Sequence, residues 1–448
     1  MKDRKYYFLF SIVIILSLLD VKAQNPIIQN QFTADPTARV FNGKVYLYPS
    51  HDIKTPEGKS LRKDWFCMPD YHVFSSDNLT DWTDHGVIVS QNKVKWVDSI
   101  SYSMWAPDCI ERNGKYYFYF PANNNQVNPN GRKGFGIGVA IADKPEGPYI
   151  PQDDPIKGVA GIDPNIFIGK DGQAYLIWAM GRISIAKLKD NMLELASEPQ
   201  EIKDLPTKGL KEGPFMFERK GIYYMTYPHV ENTIERLEYA MSDNPMGPYK
   251  FTGVIMDESP TGCWTNHQSI INFKGQWYLF YHQNDLSPKF DKNRSVCIDS
   301  LFFNADGTIQ KVKPTLRGVG LTKATDKIQI DRYSRISDNG TNVVYNDTLN
   351  YFDGWNTVLS GKNAWIQYNS IDFGIGNQKW VEIKYMSPKG TNITVSQNIK
   401  NAGKIKISAS AKWKTARIKV SANTSGVQNL VLTNTGNNVL EIDWIRFE

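Results

Sequence analysis

Residues 35–50 read DPTARVFNGKVYLYPS, a short apolar strand followed by an Asn-Gly turn and a second strand with alternating aromatic residues. Four later segments keep this order: PDCIERNGKYYFYFP from 107, DPNIFIGKDGQAYLIWA from 163, GPFMFERKGIYYMTYP from 213 and HQSIINFKGQWYLFYH from 267. Asn-Gly and Asp-Gly turns indicate tight hairpins because both central residues need a positive φ. The chain therefore carries five copies of one hairpin.

A second hairpin follows most copies, as in SSDNLTDWTDHGVIV from 75, IADKPEGPYI from 141, LKDNMLELASEPQEI from 188, MSDNPMGPYKFTGVI from 241 and FFNADGTIQKV from 302. The turn glycines of the first hairpins recur at intervals of 49 to 71 residues, with almost no helical periodicity between them. Five four-stranded units in this order predict an all-β chain that begins with a five-bladed β-propeller. A sandwich of unrelated hairpins is the alternative, but it does not explain the constant order.

The pattern changes after about residue 320, where Asn, Thr, Ser and Lys become frequent. Alternating strands follow, such as AWIQYNSIDFG, KWVEIKYMS, KIKISASA and LEIDWIRFE. This pattern predicts a β-sandwich of the jelly-roll kind over 324–448, after a propeller over 24–320. Extra propeller strands are a poorer interpretation, because the blade repeat is absent there.

Composition limits the classes of protein that the chain can belong to. The 448 residues are 41% hydrophobic and 12% aromatic, which suits a folded core rather than disorder. The 52 basic and 46 acidic residues are interspersed, so a nucleic-acid partner is not expected. The many aromatic rings indicate numerous strands, or a surface that binds flat apolar faces, or both.

Residues 1–23 have the pattern of a secretory signal peptide. Lys2, Arg4 and Lys5 precede a 14-residue apolar stretch, and Ala23 offers a cleavage site. The stretch is shorter than the roughly 20 residues that span a bilayer, so a membrane anchor is the weaker interpretation. We expect an exported protein, periplasmic or extracellular, with no membrane attachment once the signal is removed.

Four cysteines, Cys67, Cys109, Cys263 and Cys297, lie far apart and show no metal-ligand spacing. Disulfides and buried free thiols are both compatible with this arrangement, and the sequence does not choose between three pairings.

Acidic residues stand at the heads of the repeats. Because propeller blades direct their first strands at a central channel, these residues converge on one funnel; they are Asp35, Asp108, Asp163 and Glu212, with His267 heading the fifth repeat. Converging carboxyls suit acid–base hydrolysis of glycosides, in which one protonates the leaving oxygen and another activates water. A structural cation is the alternative. Proline after Asp35 and Asp163 favours extended backbone at both acids, and glycine after Glu212 would allow a ligand to approach.

Residues 27–320 resemble glycoside hydrolase family 43, through ADPTARVFNGKVYLY, MWAPDCIERNGKYYFYF, GIDPNIFIGKDGQAYLIW and KEGPFMFERKGIYYMTY in the same order. The resemblance implies an inverting enzyme without a required cofactor. Asp35 would be the general base, Glu212 the general acid, and Asp163 the residue that raises the pKa of Glu212 and orients it. Base and acid are then expected about 6.5–9.5 Å apart.

Three further residues are candidates for substrate binding. His267 resembles the family's funnel histidine, which lies beneath the site, often beside a cation or water; a satisfied core histidine is the alternative. Arg294 would be the substrate-orienting arginine, or else an exposed arginine in a salt bridge. Trp105 is predicted to line the pocket as a sugar platform. Asp108 is expected to be structural rather than catalytic.

Residues 324–448 resemble family 6 carbohydrate-binding modules, through IQIDRYSRIS, AWIQYNSIDFG and LEIDWIRFE. The resemblance implies a structural calcium held by Asp331 and Asp443, with Gln329 replacing the usual acid. Trp355 and Trp413 would be either sugar platforms or core residues. A module that only packs on the propeller is the alternative.

Together the resemblances imply release of α-L-arabinofuranosyl or β-D-xylosyl units from arabinoxylan-type plant polysaccharide. An endo-arabinanase and a non-catalytic glycan-binding protein are the alternatives. Insertions at 51–69 and 123–133 favour a walled pocket over the open groove of an endo-arabinanase, and the three acids argue against a binding protein. Retaining enzymes of the invertase type are disfavoured, because Asp35 lacks their Asn-Asp-Pro context.

Overall fold

A computed structural model describes residues 24–56, 63–124, 134–206, 208–398, 400–420 and 425–448. These residues form 31 β-strands in seven sheets, and their helical segments are two 3₁₀ turns, Gln91–Lys93 and Tyr351–Asp353. The all-β prediction is confirmed. The predicted signal peptide at 1–23 lies outside the described residues.

Five antiparallel sheets form the blades of a propeller, and the first four have four strands each. Blade 1 comprises β1 (Ala34–Phe41), β2 (Lys44–Ser50), β3 (Asp70–Ser76) and β4 (Thr83–Ser90). Blade 2 comprises β5 (Asp108–Arg112), β6 (Lys115–Asn124), β7 (Gly134–Ala142) and β8 (Ile150–Pro151). Blade 3 comprises β9 (Ile162–Ile168), β10 (Ala174–Ala179), β11 (Ile183–Lys187) and β12 (Gln200–Glu201). Blade 4 comprises β13 (Phe215–Arg219), β14 (Ile222–Val230), β15 (Glu235–Ser242) and β16 (Lys250–Met256).

Blade 5 departs from the predicted repeat. Its sheet has three strands, β17 (Ser269–Phe273), β18 (Gln276–Gln283) and β19 (Ser295–Leu301). The segment FFNADGTIQKV forms only the single bridge Phe303↔Ile309. Residues 25–33 occupy the edge of β19 instead, where the N–H groups of Ile27 and Thr33 donate to the carbonyls of Val296 and Arg294 at 2.9 Å each. This segment closes the ring.

The glycine turns that define the repeat adopt the expected backbone. Gly43, Gly114, Gly172, Gly221 and Gly275 all have positive φ, between 74° and 86°. In four of the five turns the residue before glycine is also left-handed, with φ of 51° to 54° at Asn42, Asn113, Lys220 and Lys274. Both central residues with positive φ define the tight hairpin turn that matches strand twist, so the hairpin prediction is confirmed.

The hydrophobic core of the propeller lies between neighbouring blades. Where blade 5 meets blade 1, Leu47 and Phe74 pack with Phe280 and Ile298, all of them at most 1% exposed. Similar clusters fill the other four interfaces. Full burial of one such side chain contributes about 1.5–3 kcal/mol. The packing holds the first strands around the axis, and β1 contacts both β5 and β17.

Two six-stranded sheets form the β-sandwich that follows. In the first sheet β20 (Thr322–Lys323), β25 (Trp365–Asp372), β30 (Val427–Asn434), β27 (Thr391–Gln397) and β28 (Lys400–Ile407) are neighbours in this order, and β22 (Arg335–Ile336) pairs with β25. In the second sheet the order is β23 (Thr341–Tyr345), β24 (Trp355–Leu359), β31 (Leu440–Phe447), β26 (Trp380–Ser387) and β29 (Ser410–Lys419), and β21 (Ile328–Gln329) pairs with β31. Alternate apolar residues of both sheets form one core.

All four cysteines are buried free thiols, which decides between the two interpretations that the sequence left open. No helix in the described part of the chain has the length and apolar character needed to cross a bilayer.

Candidate active site

A pocket of about 280 Å³ opens where the heads of the blades converge. Its lining includes Asp35 from β1, Asp163 from β9, Glu212 before β13 and His267 before β17. The repeat therefore brings four of the five predicted head residues together. The volume lies at the small end of the range for pockets that bind small molecules, about 300–1,000 Å³.

Two polar side chains hold the carboxylate of Asp35. Arg294 Nη1 donates to its Oδ1 at 2.8 Å, and Ser50 Oγ donates to its Oδ2 at 2.5 Å. Ser50 stands at the end of β2, opposite Ala34 at the start of β1. Burial raises the pKa of Asp35, but Arg294 and neighbouring dipoles outweigh this effect and bring it to about 2. Asp35 is therefore ionised at neutral pH.

Arg294 is clamped between two carboxylates. It is 2% exposed, and its Nε and Nη2 donate to Asp52 Oδ2 and Oδ1 at 2.9 Å each. The guanidinium also lies over the Phe66 ring at 4.7 Å. The alternative of an exposed arginine is thus excluded. Asp52 was not foreseen from the sequence; it follows β2 by two residues and fixes the arginine from behind.

Two histidines differ in their position at the site. His267 is among the residues that line the pocket, with Nδ1 4.0 Å from Asp35 Oδ1. The deeper group is His282, which accepts a hydrogen bond from the backbone N–H of Asp35 at 3.1 Å and donates from Nε2 to the Thr265 carbonyl at 3.0 Å. Burial lowers the pKa of His267 to about 4 and of His282 to about 3, so both are neutral.

Asp163 and Glu212 form an acidic pair opposite Arg294. Asp163 Oδ2 accepts the N–H of Gly213, directly after Glu212, at 2.8 Å. Burial, with the neighbouring carboxyl of Glu212, raises the pKa of Asp163 well above its ordinary value. Burial also raises the pKa of Glu212, and the charge of Asp35 adds to this. The pocket thus holds one ionised carboxylate and two carboxyls that favour the protonated form.

The local backbone at these acids corrects two expectations. Asp35 and Asp163 are left-handed, with φ of 47° and 55°, so the following proline does not hold them extended. Such backbone is unfavourable outside glycine and marks a strained functional position. At Gly213 (φ 51°) a Cβ would lie 2.8 Å from the Pro228 ring and 2.9 Å from His267 Nδ1. Glycine is needed there for packing against the protein, not for approach of a ligand.

Asp108 is structural, as expected. It is fully buried and accepts from Arg39 Nε at 3.0 Å, from the Ile166 N–H at 2.6 Å and from Asn165 Nδ2 at 2.9 Å. These contacts join blades 1, 2 and 3, and Asp108 is not part of the pocket lining.

Aromatic rings form the apolar wall of the pocket. Trp105 lines it as predicted, and its ring centroid lies 4.5 Å from that of Phe135. Trp65 and Phe66, from the predicted insertion at 51–69, and Trp264 also line it. The described part of this insertion therefore contributes to the wall. The second insertion lies mostly outside the described residues, from 125 to 133.

Glu235, at the start of β15, is a further carboxyl that the sequence did not point to. It is 0% exposed, and its Oε2 accepts the N–H of Asn266 at 2.7 Å. Its side chain is in hydrogen-bonding contact with Glu212. Glu235 begins the third strand of its blade, whereas the sequence repeat marks only the heads of the first strands.

The predicted calcium ligands each have a basic partner. Asp331 Oδ2 lies 3.4 Å from Arg332 Nε, and Asp443 Oδ2 lies 2.5 Å from Lys384 Nζ. Among the described residues, groups of three His or acidic ligands occur elsewhere, at His51/Asp70/His72 and at His229/Glu231/Glu238. Because their charges are already balanced by cations, Asp331 and Asp443 do not form a good calcium cage, and we assign no role to the ion.

The two tryptophans of the sandwich are now distinguished. Trp355 is 5% exposed, with the Arg332 guanidinium 4.0 Å over its ring, so it is a core residue. Trp413 is 40% exposed and has Lys384 Nζ 5.6 Å from its ring. Of these two rings, Trp413 is the one exposed enough to serve as a sugar platform.

A five-bladed propeller whose axial pocket combines an ionised carboxylate with two carboxyls of raised pKa defines a glycoside hydrolase of the acid–base type. Residues 23–309 match the sequence profile of glycosyl hydrolases family 43. The chain belongs to this family of inverting enzymes. Residues 335–448 match carbohydrate binding module (family 6).

Relatives share the propeller and in some cases the whole chain. Xylosidase/arabinosidase 43A of Humicola insolens is 37% identical over 338 residues, which cover 64% of this chain and 99% of the relative. A xylosidase/arabinosidase of Bacteroides ovatus is 34% identical over 63% of this chain and 95% of its own. An arabinoxylan arabinofuranohydrolase of Paenibacillus polymyxa is 26% identical over 94% of this chain and 74% of its own.

Solved structures agree with this assignment. A β-xylosidase/α-arabinofuranosidase from a compost microbial metagenome, in complex with xylotriose and in calcium-free form, is 35% identical with a TM-score of 0.58, and covers 65% of this chain and 97% of its own. An arabinoxylan arabinofuranohydrolase of Bacillus subtilis is 24% identical with a TM-score of 0.56 over 95% of this chain and 97% of its own. At that identity it supports the two-domain fold alone.

Proposed function

We propose that the chain is an exo-acting hydrolase that releases α-L-arabinofuranosyl or β-D-xylosyl units from arabinoxylan-type plant polysaccharide, with inversion at the anomeric carbon. The observation that carries the proposal is the unequal charge of the pocket carboxyls. Asp35, with a pKa of about 2, is ionised, whereas burial and neighbouring acidic groups raise the pKa of Asp163 and of Glu212, which favours their protonated forms. One group accepts a proton while another donates one, as the reaction requires.

Asp35 is the general base in this proposal. Arg294 and Ser50 fix its carboxylate and keep it ionised. It takes a proton from the water that attacks the anomeric carbon, and the neutral His282 holds its backbone from behind.

Glu212 is the general acid. It gives its proton to the glycosidic oxygen while the bond between that oxygen and the sugar breaks. Asp163 holds the adjacent Gly213 N–H at 2.8 Å, which orients the loop that carries Glu212. Burial and the charge of Asp35 disfavour ionisation of Glu212, so Glu212 keeps its proton until the leaving oxygen accepts it.

The small pocket and its aromatic wall support action on terminal units. Trp65, Trp105 and Trp264 line a cavity of about 280 Å³, and Arg294 and His267 contribute polar groups to the same wall. A pocket of this size suits one terminal unit, whereas an endo-arabinanase needs a groove open at both ends. The names of the relatives agree with both arabinosyl and xylosyl substrates.

We further propose that 1–23 is a signal peptide, 24–320 the catalytic propeller and 324–448 a carbohydrate-binding sandwich, in a protein exported to the periplasm or the exterior. Trp413 is the exposed ring that supports glycan binding by the sandwich. Affinity electrophoresis of the full chain in xylan gels tests this role. Trp413→Ala should lose the retardation that the parent chain shows, and an equal retardation of both would contradict it.

The function is tested with aryl α-L-arabinofuranosides, β-D-xylosides and β-D-galactosides. Asp35→Asn and Glu212→Gln should each lower kcat by about 10²- to 10⁴-fold, whereas Glu198→Gln on an exposed residue should leave it unchanged. NMR of the first-formed sugar should show inversion. Retention, or full activity of Glu212→Gln, would contradict the assignment, and binding without turnover on every substrate would favour a glycan-binding protein.

A further inference from the structure

Glu235 is a buried carboxyl at the active site for which the acid–base scheme has no role. It begins β15, pairs in register with Val230 across the β14–β15 hairpin and is 0% exposed. A fully buried carboxylate normally requires a cation or several donors, because burial of an unpaired charge is very costly. Within the described residues Glu235 forms no ion pair and accepts a single backbone hydrogen bond, and the carboxyls of Glu212 and Asp163 both raise its pKa.

The hydrogen bonds of Glu235 fix its position on one side only. Its N–H donates to the Trp264 carbonyl at 3.0 Å, and its Oε2 accepts the N–H of Asn266 at 2.7 Å. Its Oε1 accepts no hydrogen bond from any residue in the described ranges. The segment before β17 thus anchors the side chain, while the rest of the carboxyl faces Glu212.

The contact between Glu235 and Glu212 requires a proton. Their side chains are in hydrogen-bonding contact, and two ionised carboxylates have no hydrogen to share. Of the two, Glu212 is partly exposed to the pocket, whereas Glu235 has no exposed surface. Water stabilises the ionised form of a carboxyl least where the group is most deeply buried. Glu235 is therefore the carboxyl of the pair that keeps the proton.

We propose that Glu235 is a positioning residue for catalysis: a neutral carboxylic acid that donates a hydrogen bond to Glu212, orients it, and stabilises the carboxylate that Glu212 becomes after protonating the leaving group. This rests on the proposed role of Glu212 as general acid. In the step itself Glu212 loses its proton to the glycosidic oxygen as the C–O bond breaks. Glu235 keeps its own proton, and the attacking water gives one to Asp35.

The charges around the pair are consistent with this division. The groups that face it come from four other parts of the propeller, and they are Asp35, Asp163, His267 and Arg294. Burial and the two aspartates disfavour a negative charge on the pair, and the neutral His267 adds none. Arg294 and the hydrogen bond from Glu235 favour ionised Glu212. Glu235 therefore makes Glu212 a stronger acid, while burial and the charge of Asp35 keep Glu212 from ionising too early.

The test compares Glu235→Gln with Glu235→Leu in the full chain. The amide of Gln still donates to Glu212, so kcat should fall by no more than about 5-fold, with the alkaline limb of kcat/KM in place. Leu donates nothing, so kcat should fall by about 10- to 100-fold. Without the donor, ionised Glu212 is less stable and its pKa rises, so the alkaline limb should move up by about 1 to 2 pH units. Glu231→Gln, at an exposed site on the same hairpin, is the matched control.

Leaving-group dependence separates this role from mere packing. Dinitrophenyl leaving groups depart with little help from a general acid. The decrease in kcat of Glu235→Leu should therefore be smaller on dinitrophenyl glycosides than on methylumbelliferyl glycosides. Equal losses on both substrates with an unmoved limb would overturn the proposal. A limb that moves down in Glu235→Gln would also overturn it, because that shift reports removal of a negative charge. A Glu212→Gln variant that dinitrophenyl glycosides fail to rescue would instead overturn the general-acid assignment.

Discussion

Replacing Arg294 by methionine would remove the only guanidinium that joins Asp35 and Asp52 while keeping a side chain of similar length. Both carboxyls are at most 5% exposed and would be left without a cationic partner among the described residues. Breaking a buried ion pair in this way costs about 3–5 kcal/mol of folding free energy. Part of this follows from Asp35, whose pKa of about 2 lies below its ordinary value of 3.8. That difference corresponds to about 2 to 3 kcal/mol.

The sign of the pH dependence follows from the direction of the shift. In the parent protein a lowered carboxyl pKa stabilises the fold above pH 3.8, and this contribution is lost as the pH falls through about 2. In Arg294→Met burial dominates, so the pKa of Asp35 rises above its ordinary value and ionisation now destabilises the fold. The deficit of the variant should therefore already be about 2 kcal/mol near pH 4, where the parent has most of this contribution, and should grow further as the pH rises towards 8.

Urea unfolding at pH 4, 5, 6, 7 and 8 measures this deficit, and kcat/KM over the same range reports the base. The acid limb of kcat/KM should move up in Arg294→Met, because the base must be ionised to act. Arg112→Met, which breaks an ion pair with the exposed Asp190, is the control and should cost no more than about 1 kcal/mol. If Arg294→Met does not fold, Asp52→Asn is measured instead. The acid limb of kcat/KM should then stay where it is in the parent, because Arg294 still pairs with Asp35. A deficit that is constant with pH, or an unmoved acid limb, would refute the reasoning.

Three further predictions concern residues outside this ion pair. Asp108→Asn should cost about 3–5 kcal/mol in urea unfolding, because Arg39 then lacks its buried partner, yet kcat per folded molecule should change less than 3-fold; a large loss of kcat would give Asp108 a catalytic role. Gly213→Ala should lower kcat at least 10-fold, because its Cβ would meet Pro228 and His267, whereas Gly221→Ala in an open turn should cost only about 1 kcal/mol of stability in the same assays. Thiol titration under denaturing conditions should give four free thiols, and a reductant should leave Tm unchanged; a lower Tm with reductant would indicate a disulfide.

The fold was predictable because its signal is repeated. Asn42-Gly43 and its counterparts impose the same turn in four of the five blades, so the hairpins and the convergence of Asp35, Asp163 and Glu212 could be predicted from the repeat. The fifth blade was predicted less well, because the edge of β19 pairs with residues 25–33, which lie far away in sequence. No local sequence pattern indicates that residues 25–33, rather than the segment from 302, pair with the edge of β19.

The supporting residues of the site were missed for a related reason. Ser50 and His282 stand at the ends of second strands, where antiparallel pairing returns the chain to the level of the first-strand heads. Examining those ends as well as the heads would have found both. Glu235 and Trp264 depend on tertiary contacts of loops, and only the folded chain brings them to the pocket.

The closure of the ring has a consequence for how the two domains depend on each other. The side chain of Asn25 forms hydrogen bonds with the backbone of Ile298 and Thr315. The backbone carbonyl of Asn25 accepts a hydrogen bond from Arg332 of the sandwich. Tyr345 of the sandwich also donates to the Asp285 carbonyl of the propeller. A ring of blades opens first where its two ends meet, which here is the contact between residues 25–33 and β19. Side chains of the sandwich stabilise this part of the propeller. The sandwich thus helps to keep the propeller closed. Without it the folded catalytic domain would have a shorter lifetime, even during action on substrates that the sandwich does not bind.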